Sequence, residues 1–310
     1  MGSMPDPFPL HLRLYGPGTS HAGMSRAEAR SYCRHLALTQ AEYLPAAWLL
    51  PRALVRHCQH LQAFHAWTRG LGQVAGGGGK ALGQLRWWRE ELLALYDGRP
   101  RHPVMIALRE TVERFQIPAQ PFLDLLYACE QDQLVKRYRT FEQLLQHCQQ
   151  AASPVGRLVL YLYECFDERR AGRADQLCTG LYLVHLWQHM RRDWEEDRVY
   201  LPEEDRRLFG YPDEELNARQ ATPAFLALMQ CETERARDLL MRGLPLVDQV
   251  PKSLRPEVEL LVAGGLATLD SIAAVGYNTW QHRPTVPPWD HARLLLRAFW
   301  QRWRPLRFAA

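Results

Sequence analysis

The stretch Ala174-Asp175-Gln176-Leu177-Cys178-Thr179-Gly180-Leu181-Tyr182-Leu183-Val184-His185-Leu186-Trp187-Gln188-His189-Met190-Arg191-Arg192 decides the fold class. Leu183, Leu186, Trp187 and Met190 fall at i, i+3, i+4 and i+7, the spacing of one face of an α-helix. The same period recurs on both sides, over residues 54–67, 81–96, 104–116, 121–135, 141–151, 155–166, 223–242, 256–275 and 289–302. Ser25-Arg26-Ala27-Glu28 opens an earlier helix with the spacing of a capping box. Breakers separate the periodic segments: Gly98-Arg99-Pro100, Ile117-Pro118, Ser153-Pro154, Gly210-Tyr211-Pro212, Gly243-Leu244-Pro245 and Arg283-Pro284. Alternation of the strand type is almost absent, and no repeat of fixed period is visible. The expectation is an all-α protein with one helical domain over residues 25–304. An irregular Pro- and Gly-rich tail precedes it (1–24), and a short tail follows (305–310). Met1-Gly2-Ser3 reads as an expression remnant before Met4. Gly76-Gly77-Gly78-Gly79 reads as a flexible surface loop or as a decayed catalytic segment, since each glycine costs a helix about 1 kcal/mol relative to alanine.

Composition is that of a globular domain with a real core: 310 residues, 47% hydrophobic and 23% charged. The net charge of +4 permits attraction to a diphosphate or an anionic membrane without demanding either, and no nucleic-acid partner is expected. Seven cysteines (Cys33, Cys58, Cys129, Cys148, Cys165, Cys178 and Cys231) form no CxxC pair, as expected of reduced thiols in a cytoplasmic protein. No apolar run reaches the ~20 residues that span a bilayer. The C-terminal stretch interleaves cations with aromatics (Arg293, Arg297, Phe299, Trp300, Arg302, Trp303, Arg304, Arg307 and Phe308). It reads as a terminal helix packed on the core or as a peripheral membrane contact. No phosphate-binding glycine loop, GxSxG or HExxH is present.

Several blocks, in order, resemble the squalene/phytoene synthase family, and most closely its bacterial hydroxysqualene synthase branch of hopanoid biosynthesis. They are Trp48-Leu49-Leu50-Pro51-Arg52; Gln131-Asp132 with Arg137-Tyr138, Thr140-Phe141-Glu142 and Pro154-Val155-Gly156-Arg157; Trp187-Gln188, Asp193-Trp194 and Arg198-Val199-Tyr200-Leu201-Pro202-Glu203-Glu204-Asp205; and Gly264-Gly265-Leu266-Ala267 with Ile272-Ala273-Ala274-Val275-Gly276-Tyr277. The resemblance implies an isoprenoid (terpenoid) synthase fold, a helical bundle around a central cavity that takes an isoprenoid or other lipid. In the family, two aspartate-rich motifs hold Mg²⁺, which neutralises the substrate diphosphate.

Here those motifs are degenerate. The first maps onto Gly72, Gln73 and Gly76, where no carboxylate remains. The second maps onto His185, Gln188, His189 and Asp193, where only Asp193 is acidic. His147 stands where the family has a pocket tyrosine. One carboxylate does not assemble a multi-Mg²⁺ cluster, so standard ionisation of a prenyl diphosphate is expected to be lost or weak. The remaining candidates for holding an anion or ligand are Arg52, Arg69, Arg137, Tyr138, His147, Arg157, Arg198 and Tyr200.

Three readings follow. The first is a non-catalytic family member that binds an isoprenoid, a lipid or a partner protein and needs no cofactor. The second is an active hydroxysqualene-type synthase in which Arg and His cations replace the metal. The third takes His185, His189 and Asp193, at i, i+4 and i+8, as a transition-metal site, since imidazole suits zinc, iron or copper better than magnesium.

Overall fold

The computed structural model describes residues 8–285 apart from positions 20, 22, 40–49 and 74–77. Gly76, the 289–302 helical segment and the cation–aromatic pattern from Arg293 to Phe308 lie outside the described residues. The described chain is helical, and its one β feature is an isolated parallel bridge between Arg137 and Val199. It groups into two compact units, Met1–Leu134 and Val135–Ala310.

The first unit holds α1 (Phe8–Tyr15), α2 (Arg26–Thr39), α3 (Arg52–Gly72), α4 (Gly78–Tyr96), α5 (Pro103–Phe115) and α6 (Gln120–Leu134). The capping box that starts α2 is formed: Ser25 N donates to Glu28 Oε2 (2.9 Å) and Glu28 N donates to Ser25 Oγ (3.2 Å). α3 packs against α2, α4, α5 and α6. Its Phe64 and Trp67 stack on Trp88 of α4 at 5.7 and 5.2 Å, and Phe122 meets Phe64 edge-on at 5.0 Å. Both buried indoles find acceptors, Trp67 Nε1 at Tyr32 Oη and Trp88 Nε1 at Thr68 Oγ1, each at 3.1 Å.

Two expectations need correction here. The tail of residues 1–24 is not irregular throughout, because residues 8–15 form α1. Pro9 is tolerated since the first turn of a helix needs no donor there. Phe8 is buried against Trp67, with ring centroids 5.1 Å apart, and its ring covers Gly70 so closely that a Cβ there would sit 2.4 Å from it. Tertiary burial thus orders a segment too short to be helical by itself. Gly78 and Gly79 likewise belong to α4 rather than to a loop.

The second unit holds α7 (Phe141–Leu162), α8 (Glu168–Glu195), α9 (Glu203–Leu208), α10 (Asp213–Asn217), α11 (Pro223–Gly243), α12 (Leu246–Gln249) and α13 (Arg255–Ala274). α8, 28 residues long and N-capped by Asp167, is the central rod, flanked by α7, α11 and α13. Gly243 lets α11 touch α8, since a Cβ there would lie 2.7–2.9 Å from Leu177. The expected break at Ser153-Pro154 does not occur, and α7 runs through Pro154. The missing N–H costs one backbone bond. Burial of Leu144, Cys148, Leu158, Leu160 and Leu162 along the same helix outweighs it. Among the described residues, no helix is long and apolar enough to cross a membrane.

Candidate functional site

In the second unit the helical period of α8 places His185, His189 and Arg192 on one face. The His185 and His189 rings lie 4.4 Å apart. Arg192 extends back to donate to His185 Nε2 (3.3 Å) and forward to Asp193 Oδ1, from Nε at 3.2 Å and from Nη2 at 3.1 Å. A guanidinium only donates, so in this contact His185 Nε2 is the acceptor. Asp193 is buried, and its Oδ2 accepts no hydrogen bond from any described residue. Burial pushes its carboxyl above the usual aspartate range, against the pull of Arg192.

From His185 a row of rings runs to the loops around α7. Tyr182 stacks with His185 at 6.4 Å and meets His147 of α7 at 6.0 Å. His147 in turn faces Tyr138 (5.6 Å) and Tyr200 (6.2 Å), which stack on each other at 5.8 Å. Tyr138 and Tyr200 come from separate loops that the Arg137–Val199 bridge holds side by side. Val199 N donates to Lys136 O at 3.0 Å and Glu203 N to Tyr138 O at 2.9 Å, on either side of that bridge. Arg198 lies beside this row, with Glu196 at 3.4 Å, and its charge favours the ionised form of Asp193.

The structure therefore gathers His147, Tyr138, Tyr200, His185, His189, Asp193 and Arg198 in one part of the second unit. Other expected residues have structural duties. Arg137 is bonded to Asp197, through its carbonyl (2.6 Å) and carboxylate (2.7 Å), and lies over Trp194. Arg157 makes a two-point pair with Asp175 at 3.0 and 2.7 Å, tying α7 to α8. Gln188 donates to Pro284 O at 2.9 Å, anchoring the chain beyond α13. In the first unit, Gly72 O accepts from Gln133 Nε2 (3.0 Å), Gln73 closes α3 as its C-cap, and Arg69 is half-buried in the last turn. Arg52 begins the helix and is exposed. Tyr182 and Arg192 were missed in the sequence. Their signal was there, three residues before and seven after His185 on the same helical face.

These donors do not fit a magnesium cluster. Mg²⁺ takes oxygen ligands in near-octahedral geometry. α3 contains no Asp or Glu from Arg52 to Gly72. On α8, the two imidazoles lie beside each other and the Asp193 carboxylate is already held by a guanidinium. For the transition-metal reading of His185, His189 and Asp193, Arg192 is a permanent cation lodged between two of the three ligands. No group of three or more His, Cys, Asp or Glu among the described residues is placed to hold a metal ion.

A model of the squalene/phytoene synthase family matches residues 36–290. A phytoene synthase of Thermus thermophilus is 33% identical over 224 residues, 72% of this chain and 76% of that protein. A 15-cis-phytoene synthase of Synechococcus elongatus is 27% identical over 293 residues, 90% of this chain and 94% of that one. Among solved structures, squalene synthase HpnC from Alicyclobacillus acidocaldarius matches with a TM-score of 0.78 and 32% identity, over 82% of this chain and 96% of that one. A dehydrosqualene synthase solved with a ligand matches with the same TM-score at 21% identity, over 88% and 96%, a likeness of fold. With its helices in the all-α isoprenoid synthase fold and most of its length matched, the chain belongs to the squalene/phytoene synthase family.

Proposed function

We propose that this chain is a non-standard family member that binds an isoprenoid-type lipid or its diphosphate through cationic and aromatic side chains, without the metal-dependent ionisation step. The observation that carries the reading is Arg192 seated between His185 and the buried Asp193. It puts a fixed positive charge where the family pattern calls for carboxylate-held cations. The absence of any acid along α3 supports it. A diphosphate leaves readily only when its developing charge is neutralised, and losing that stabilisation typically costs orders of magnitude in rate. The ring row from Tyr138 to His189 offers polarisable faces to an apolar chain.

A second reading has specific support in the 32% identity to squalene synthase HpnC. In it the chain turns over presqualene or farnesyl diphosphate, with Arg192 and Arg198 in place of metal. One experiment separates the two: release of diphosphate from farnesyl and presqualene diphosphate, followed with Mg²⁺ and with chelator. Binding without turnover is the expected result. Turnover with chelator that Arg192→Gln abolishes establishes the second reading, and Mg²⁺-dependent turnover refutes both.

A further inference from the structure

The first unit contains a cleft of about 540 Å³ between α2 and the start of α3, lined by Arg34, Arg52, Ala53, Val55, Arg56 and Gln59. Its charged lining is all arginine. Arg34 and Arg52 are exposed and make no ion pair with any described residue. Arg56 reaches Glu110 at 3.3 Å, but the same carboxylate is held more closely by Arg30 at 2.7 Å. One negative charge thus serves two guanidiniums, while two more stand without an acid. α3 also begins here, and its N-cap, Pro51, supplies no side-chain acceptor. The first-turn N–H groups of a 21-residue helix therefore add positive potential to the same cleft. Arg56 of the cleft also acts on the buried neighbour His57, whose imidazole is held below the usual histidine range first by burial and then by Arg56, Arg114 and Arg30, with Glu110 opposing.

We propose that this arginine-lined cleft is a second anion site that receives a phosphate-bearing group, either a free phosphorylated small molecule or the headgroup of an anionic phospholipid. Arginine forks match phosphate oxygens two at a time, and three of them at a helix N-terminus form a receptor that needs no metal. The site lies wholly within the first unit and goes beyond the reading given above, which rests on α8.

The test uses the full chain in chelator. Inorganic pyrophosphate binding is followed by calorimetry, and sedimentation with phosphatidylcholine vesicles, with and without phosphatidylglycerol, is followed in parallel. Arg34 and Arg52 are exposed, so Arg34→Gln/Arg52→Gln is expected to fold with unchanged melting temperature. It should weaken binding of whichever probe occupies the cleft about tenfold, or ~1.4 kcal/mol. Arg34→Lys/Arg52→Lys, which keeps the charge, should recover part of the loss. Pyrophosphate binding lost in the double variant identifies a free phosphate ligand, and vesicle binding lost in it identifies the headgroup. If neither probe binds wild type, or binding is the same in the double variant, the inference is wrong. Binding that Arg192→Gln removes and the double variant leaves intact overturns this inference while sparing the α8 reading.

Discussion

Replacing Glu257 by glutamine should stabilise the protein above neutral pH. Glu257 sits in the first turn of α13, 3% exposed, with Tyr163 Oη of α7 donating to its Oε2 at 3.2 Å. Burial raises its carboxyl from the ordinary 4.5 to about 7, and the tyrosine bond only partly offsets that. At ~1.4 kcal/mol per pKa unit, the rise corresponds to roughly 3 kcal/mol. The folded pKa lies above the unfolded one, so the folded state binds the extra proton. Its contribution is fully present below pH 4.5 and is lost as pH rises through about 7. Glutamine keeps an acceptor for Tyr163 and carries no charge. Urea unfolding at about pH 5 and about pH 8 measures the effect, and wild type should lose up to roughly 3 kcal/mol more than Glu257→Gln between them. At the higher pH the variant should be the more stable of the two. A variant less stable than wild type at the higher pH, with parallel pH profiles, would show that Glu257 is ionised in place and refute the reasoning.

Further outcomes are expected elsewhere. Gly70→Ala should expel Phe8 and cost about 2–3 kcal/mol of lost burial, and a Phe8→Ala background should suppress most of that cost in a double-mutant cycle. His60, whose Nδ1 lies 2.8 Å from Thr111 Oγ1, is pushed down to about 4 by burial and by His57. Its contribution to stability is present above pH 6.5 and lost as pH falls toward 4, which acid unfolding of wild type against His60→Gln tests. Arg192→Gln should leave the fold intact and cost about 1 kcal/mol or less in thermal stability, because the arginine is half-exposed. The same variant should weaken diphosphate binding in chelator. Burial pushes the Cys178 thiol up to about 12 and Cys33 higher, and raises Cys231 and Cys165 as well, so maleimide should modify the partly exposed Cys129 first, as peptide mapping of labelled native protein will show.

Much of the site was legible along the chain. His185, His189, Asp193 and the block Arg198-Val199-Tyr200 could be placed because helix period and family order both act locally. Arg137 and Arg157 looked like anion ligands from their positions in those blocks. Their partners Asp197 and Asp175 are distant enough in sequence that only packing reveals the pairs. The reading of Pro154 as a breaker failed for the same kind of reason. Backbone propensity weighs about 3 kcal/mol against proline within a helix. The buried face of α7 acts over the whole helix and does not register at one residue.

By itself the sequence determined that this protein is built of helices, roughly where the longer ones lie, and that the α8 face carries imidazoles with a single carboxylate. Those follow from periodicity, capping and residue identity, which neighbours along the chain settle. Only the tertiary structure decided that Phe8 lies on Gly70, that Tyr138 and Tyr200 meet across a bridge, and that Arg192 stands between His185 and Asp193. It also decided that Arg34, Arg52 and Arg56 converge on one cleft. Each depends on burial and charge among groups that come together only when the chain folds, where a contact's energy depends on what surrounds it in space.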